Sequence, residues 1–312
     1  MKWLIYFKKR DSETALREEN MKLVQQIEEA ALQFTDTRRS IARVILEHRK
    51  DFHELSLKDI ADLAYVSKAT VVRFAQHFGY QGWMDFRDDY IAQLYSESSR
   101  PERVDVNYPF DKEADLQTIS RNIGQTLIQG TEETLEALDP GMVSRIVSLM
   151  ERARRIVIFC VSPHTYSAQL FARKMLTIQK PVQVSNAREM GITARTLTNM
   201  DMAIIISYAG NNPDHEPMNV TPYLREARIP TAVITSRGDN YLRQNFTNVL
   251  TIPDEEHLYT KMATFYSEQS VICLLDILFA GYFARHFEKN DQNKIHTARQ
   301  LEDLRRNSRL HE

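Results

Sequence analysis

The stretch "YVSKATVVRF", residues 65–74, decides how the first part of this chain folds. Apolar side chains within and just after it recur at the i, i+3, i+4, i+7 spacing of one helical face: Val71, Phe74, Ala75 and Phe78. Ser67 stands where a helix N-cap belongs, and Gly79 stands where a helix would stop. We therefore predict a helix from about residue 67 to residue 78 with one face in a core.

A second apolar stripe lies directly before this helix. It consists of Leu57, Ile60, Ala61 and Ala64, with Ser56 as its predicted N-cap. Only Tyr65 and Val66 separate the two stripes, so the two helices must cross steeply, as in a helix-turn-helix. An earlier stripe over residues 41–45 and a later one over residues 83–94 would close a small helical core.

The other face of the predicted helix is polar and carries no acid. No Asp or Glu occurs from Leu63 to Met84, although acids are frequent on both sides of that range. A helix that approaches phosphates has to exclude carboxylates from the approaching face, because like charges repel there. The predicted DNA-binding residues are Ser67, Lys68, Ala69, Thr70, Arg73, Gln76 and His77 on this helix and Lys58 on the one before it.

Two other interpretations of the polar face stay open. It is also compatible with a solvated helix of an unrelated bundle. A protein-interaction module is a further alternative, but it would not require Thr70 and Arg73.

The segment "LSLKDIADLAYVSKATVVRFAQHFGYQGWMDFR", residues 55–87, resembles the N-terminal helix-turn-helix of the RpiR/MurR transcription regulators. The matching positions are Ser56, Asp59 to Ala61, Val66 to Phe74, Phe78 to Tyr80, Gly82, Trp83, Asp85 and Phe86. The resemblance implies a regulator that binds a double-stranded DNA operator, with a C-terminal sugar isomerase (SIS) domain that binds phosphosugars.

Composition limits the class of protein. The chain has 312 residues, 43% apolar and 26% charged, with a formal net charge of −2, as expected for about two globular domains. Its two cysteines, Cys160 and Cys273, lie in apolar runs, so we expect reduced thiols in a cytoplasmic protein. The start "MKWLIYFKKR" is too short for a secretory signal or a membrane span.

We predict four regions: a helix-turn-helix domain (1–95), a linker (96–115), an α/β domain (116–290) and a polar C-terminal tail (291–312). Five wholly apolar runs begin at residues 156, 181, 202, 231 and 248, with helical stretches between them. Such runs are typical of a parallel sheet covered on both faces. The predicted fold is an all-α N-terminal domain followed by a five-stranded, doubly wound, SIS-like α/β sandwich.

Ligands of such sandwiches bind at the carboxyl ends of the strands. Hydroxyl, amide and glycine residues follow three of the predicted strands there, and with Glu268 of the closing helix they make the candidate effector site: Ser162, His164, Thr165, Ser207, Gly210, Asn211, Asn212, Thr235, Ser236 and Glu268. These groups suit a phosphate carried on a hydroxylated body, and the SIS resemblance implies a phosphorylated sugar effector.

The chain departs from the SIS pattern in these loops. The glycines usual after strand one are absent, and Ala209 and Asn212 replace two hydroxyl donors after strand three. A phosphosugar, an altered ligand and a purely dimerising role therefore all stay open.

No motif of metal, cofactor or nucleophilic chemistry occurs. We expect no catalytic residue, no metal site and no cofactor, and no membrane partner. The alternative to a regulator is a phosphosugar isomerase with a helical extension, whose only candidate acid or base residues would be Glu268 and His164. We also expect a homodimer or homotetramer, because the closing helix is more apolar than one sheet face requires and a regulator needs two DNA-binding heads.

Overall fold

The computed structural model describes residues 23–49, 51–98 and 103–308. It divides into two compact units. The head unit comprises the described residues up to Thr126 together with Glu255–Thr264, and the sheet unit comprises Leu127–Asp254 and the described residues from Phe265 onward. The basic and aromatic N-terminal segment of the sequence lies outside the described residues.

The head unit is helical, as the sequence predicts. Its elements are α1 (Leu23–Gln33), α2 (Thr37–Glu47), a 3₁₀ turn (Phe52–Glu54), α3 (Leu57–Leu63), α4 (Lys68–His77) and α5 (Trp83–Ser98). Each predicted stripe supplies its core, including the fully buried Ile41, Ile60, Val71, Phe86 and Tyr90. Helix α6 (Leu116–Glu136) starts in the head unit and ends in the sheet unit.

Local hydrogen bonds fix where α3 and α4 begin. Ser56 and Asp59 form a reciprocal capping box at the start of α3. Ser67 caps α4 by accepting from the Thr70 amide at 3.2 Å. Between the helices Tyr65 adopts a left-handed φ of 55°, which turns the chain sharply. The result is the predicted helix-turn-helix.

The sheet unit contains five parallel strands in the order β2-β1-β3-β4-β5. They are β1 (Ile156–Cys160), β2 (Val182–Val184), β3 (Met202–Ile206), β4 (Thr231–Ser236) and β5 (Val249–Ile252). Each coincides with a predicted run to within two residues. The predicted five-stranded doubly wound sandwich is thereby confirmed.

Helices cover both faces of the sheet. They are α7 (Pro140–Arg152), α8 (His164–Thr177), α9 (Met190–Arg195), α10 (Thr221–Glu226), α11 (Tyr241–Asn245), α12 (Phe265–Arg285) and α13 (Phe287–Ser308). Alternate residues of the central strands enter two separate apolar clusters: Ile204 and Ile206 pack with α7, α8 and α12, whereas Ala203 and Ile205 pack with α9 and α10. The region predicted as a polar tail, residues 291–312, is helical as far as Ser308.

Helix α12 is the most apolar of these helices. About a third of its most apolar stretch of 18 residues is buried. Length and composition alone would permit a membrane span among the described residues, but the core helix of a soluble protein meets the same criterion.

Candidate nucleic-acid interface and effector site

Helix α4 presents the predicted polar face to solvent. Ser67, Lys68, Ala69, Arg73 and Gln76 are exposed. On the opposite side Val71, Phe74 and Ala75 are buried in the head-unit core. The side chains therefore divide along the helix as its apolar spacing predicts.

The hydroxyls at the start of α4 are organised by short local bonds. Ser67 Oγ lies 2.8 Å from Thr70 Oγ1, and Arg73 Nη2 donates to the same Thr70 oxygen at 3.4 Å. These bonds leave the Arg73 guanidinium exposed with donors still available. The first backbone N–H groups of a helix have no partner within it and favour anions, so Lys68 and Ala69 sit where phosphate oxygens can be bound.

Two of the predicted DNA-binding residues lie at the margins of this face. Lys58 is exposed in the first turn of α3. His77, at the end of α4, is half-buried, and its ring packs edge-on against Phe34 with centroids 5.3 Å apart. Burial and the nearby Arg38 charge lower the His77 pKa, which favours the neutral imidazole.

The loops at the carboxyl ends of β3 and β4 are held together by buried hydrogen bonds. Thr235 is fully buried, donates its hydroxyl proton to Tyr208 O at 3.3 Å and accepts from Asn240 Nδ2 at 3.0 Å. Ser207 Oγ accepts from the Gly210 amide at 3.2 Å. These candidate residues are close together, but their hydroxyls already have partners.

Gly210 lies at the tightest point of this arrangement. Its φ is +61°, and a Cβ added there would meet Thr235 Oγ1 at 2.5 Å and Asn240 Oδ1 at 2.9 Å. Only glycine accommodates both the backbone conformation and the close approach.

The other candidate effector residues differ in exposure. Ser162 and Asn212 are exposed, Thr165, Asn211 and Glu268 are half-buried, and His164 and Ser236 are buried. Because β1 lies next to β3, the loop after β1 shares the sheet edge with the loop after β3. Glu268 is in the first turn of α12.

Asn240 and Arg243 were not identified from the sequence as residues of this site. Asn240 is the N-cap of α11, accepting from the Arg243 amide at 3.1 Å, and it also bonds both Thr235 and Ser236. Arg243 donates to Ser236 O at 2.8 Å and to Thr251 Oγ1 at 2.7 Å. An asparagine directly before a short helix is an N-cap signal that could have identified the first of them.

Two models of known protein domains match this chain, one in each part of the fold. The model of the helix-turn-helix domain of the rpiR family matches residues 21–97, and the SIS domain model matches residues 149–280.

Among similar chains, an HTH-type transcriptional regulator of Providencia stuartii is 30% identical over 179 residues. The match covers 57% of this chain and 62% of that relative, so this chain spans less than two thirds of the relative's length. The HTH-type transcriptional regulator HexR of Pseudomonas aeruginosa is 24% identical over 84% of this chain and 90% of its own.

Among solved structures, Vibrio vulnificus NanR, complexed with ManNAc-6P, superposes with a TM-score of 0.56 at 21% identity. The match covers 90% of this chain and 98% of NanR, and it establishes a shared fold. The chain thus carries a helix-turn-helix domain of the rpiR family followed by an SIS domain.

Proposed function

We propose that the protein is a transcription regulator that binds an operator in double-stranded DNA through the exposed face of α4. One observation carries this proposal: Lys68, Ala69, Arg73 and Gln76 are exposed side by side on a helix whose flanking sequence lacks carboxylates from Leu63 to Met84. The match of residues 21–97 to the helix-turn-helix model of the rpiR family supports it.

Each group on this face has a distinct role in the proposed complex. Ser67, Thr70 and the first-turn amides bond phosphate oxygens and set the helix in the major groove. Arg73 and Lys68 have the reach and donors for guanine O6 and N7, Gln76 suits adenine, and Ala69 suits a thymine methyl. Lys58 contacts the backbone beside the groove, and His77 lies at its margin.

The test is selection of duplexes from a random-sequence library by the full chain, followed by fluorescence anisotropy at several salt concentrations. We expect a selected sequence with two similar half-sites, whose binding weakens steeply as salt rises because phosphate contacts release counterions. Failure to enrich any sequence, or to retain duplex at low salt, would remove the proposal.

We further propose that the carboxyl edge of the sheet senses a phosphorylated sugar. The loops after β1, β3 and β4 offer hydroxyls, amides and a helix N-terminus, and the exposed Arg237 adds positive charge near them. The similarity in fold to NanR, whose structure contains ManNAc-6P, supports the same ligand class. Binding would shift DNA affinity by favouring one of two states of the heads.

A thermal-shift screen tests this effector proposal. N-acetylmannosamine 6-phosphate and a panel of pentose and hexose phosphates are compared with their unphosphorylated sugars, because a ligand of the native state raises the melting temperature. Ser207→Phe is expected to abolish the shift and leave DNA binding intact. An identical shift in that variant would place the ligand elsewhere.

The proposed regulator assembles as a homodimer or homotetramer through α12. Several large apolar side chains of this helix stay only half-buried in one chain, among them Ile272, Ile277, Phe279 and Phe283. One chain has a mass of 36.4 kDa, so light scattering after gel filtration distinguishes the states.

Ala280→Arg places a charge on the exposed part of α12 and is expected to yield monomers. Ala298→Arg, exposed on α13, is the matched control. A native monomer would contradict the assembly. We assign no catalytic step to this function, and the proposed operator partner favours a cytoplasmic location.

A further inference from the structure

Residues 255–264, here called the clasp, lie between two elements of the sheet unit in the sequence but pack with the head unit. Along the chain they connect β5 to α12, which are both elements of the sheet unit. By their contacts they belong to the head unit. The DNA-binding head therefore includes ten residues that the chain supplies from within the SIS region.

A buried carboxylate holds the clasp. Glu28 of α1 is 1% exposed and accepts from three successive backbone amides: Leu258 at 2.9 Å, Tyr259 at 3.4 Å and Thr260 at 3.2 Å. The Thr260 hydroxyl donates to the same carboxylate. Consecutive N–H groups that converge in this way make an anion site, which the chain here fills with its own side chain. A carboxylate is tolerated at such depth only with this many donors.

Asn107 holds the clasp from a second direction. It is 2% exposed, its Oδ1 accepts from the His257 amide at 2.6 Å, and its Nδ2 donates to Glu255 O at 3.1 Å. Its own carbonyl accepts from the Met262 amide at 2.8 Å. The Arg49 guanidinium lies 2.7 Å from the His257 ring. Both ends of the clasp are thus bound to the head unit.

The chain flanking the clasp leads directly to the candidate effector edge. Only Pro253 and Asp254 separate the clasp from Ile252, the last residue of β5. On the other side Phe265 begins α12, whose first turn carries Glu268. The clasp is therefore joined covalently to two elements of the sheet unit and hydrogen-bonded to the head unit. A displacement of β5 or α12 pulls on a segment that the head unit holds.

We propose that the clasp is the element through which the occupied effector edge alters DNA binding, with Glu28 as the positioning residue that secures it. This proposal rests on the proposed function of the two units. Both ligands would act on one element with two arrangements, which is the physical requirement for coupling between distant sites.

Hydrogen exchange on the full chain tests the first step. Glu28→Gln keeps the size of the side chain but turns an amide NH₂ toward donors that need an acceptor. We expect the amides of residues 258–260 to exchange about 10-fold to 100-fold faster than in the native chain, the range for hydrogen bonds to a charged acceptor. Glu47→Gln removes the same charge from an exposed position on α2 and is expected to leave them unchanged.

Linkage supplies the second step without a known effector. If the clasp couples the sites, DNA must also act on the effector edge. Adding a duplex that the native chain has selected should therefore slow exchange in residues 265–270 of the native chain and of Glu47→Gln. In Glu28→Gln the duplex should still bind, but this change should be lost.

Each result decides a separate point. An unchanged DNA response of residues 265–270 in Glu28→Gln, or its absence from the native chain, would overturn the clasp proposal while DNA binding stands. Absence of any DNA binding would instead remove the proposed function, and the clasp proposal with it. If Glu28→Gln does not fold, Thr260→Val, which deletes one donor to Glu28, replaces it.

Discussion

The exposed face of α4 and the loops at the carboxyl edge of the sheet are both rich in hydroxyl and amide groups, but they use them differently. On α4, Ser67 and Thr70 bond each other at the surface, and Arg73 stays exposed. At the sheet edge, Thr235 and Asn240 are buried and hold two loops together. The polar groups of α4 are therefore accessible from solvent, whereas many of those at the sheet edge hold the fold together.

The largest expected effect is on the unfolding free energy, and it should distinguish the tightly packed Gly210 from the open Gly79. Gly210→Ala forces a Cβ against two buried polar groups at a left-handed φ, so we expect a loss of about 2–4 kcal/mol in unfolding free energy. Gly79→Ala is the matched control in the head unit, with φ +87° and no heavy atom within 4 Å of the added Cβ. It should lose only the backbone part, about 1 kcal/mol.

Urea unfolding of both variants measures these costs. Equal losses of unfolding free energy in the two variants would mean that the close packing around Gly210 does not add to the cost of the substitution. The contrast between the two regions would then not hold.

A second substitution probes the exposed face itself. Arg73→Ala should weaken binding to the selected duplex about 10-fold to 100-fold, since one bidentate base contact contributes about 1–3 kcal/mol. Because Arg73 is exposed, the unfolding free energy should stay within about 0.5 kcal/mol of the native value. Arg225→Ala, which removes an exposed arginine from α10, should bind DNA normally in the same anisotropy titration.

The smallest effect concerns the turn between α3 and α4. Tyr65 is 96% exposed and holds a φ of 55°, so its side chain contributes strain without burial. Tyr65→Gly should raise the unfolding free energy by about 1 kcal/mol. Tyr65→Ala keeps the Cβ and should bring no such gain; stabilisation by both variants would place the benefit in loss of the ring.

Local patterns predicted most of the fold. The spacing of Val71, Phe74 and Ala75 identified the buried face of α4, because one side of that helix packs in the core. Apolar runs located all five strands, because the three central strands are covered on both faces. Ser67 was recognisable as a cap because capping depends on residues three apart.

Contacts between distant parts of the chain were beyond such patterns. Glu28 meets Thr260 across a separation of 232 residues, and no periodicity in either segment announces it. His77 stands at the border of the helical wheel, and its ring packs against Phe34, which is distant in sequence, as well as against Phe78. The assignment of DNA-binding and effector residues remains a prediction that the variants above address.

Crosslinking from position 69 gives the sharpest test of whether α4 enters a duplex. Ala69 is exposed in the first turn of α4, so a photoreactive phenylalanine analogue placed there should couple to the selected duplex. The same analogue at the exposed Glu47, on α2, is the control and should give little product. Efficient coupling at 69 alone is the expected result; coupling at 47 but not at 69, with the duplex bound in both cases, would show that another surface holds the DNA.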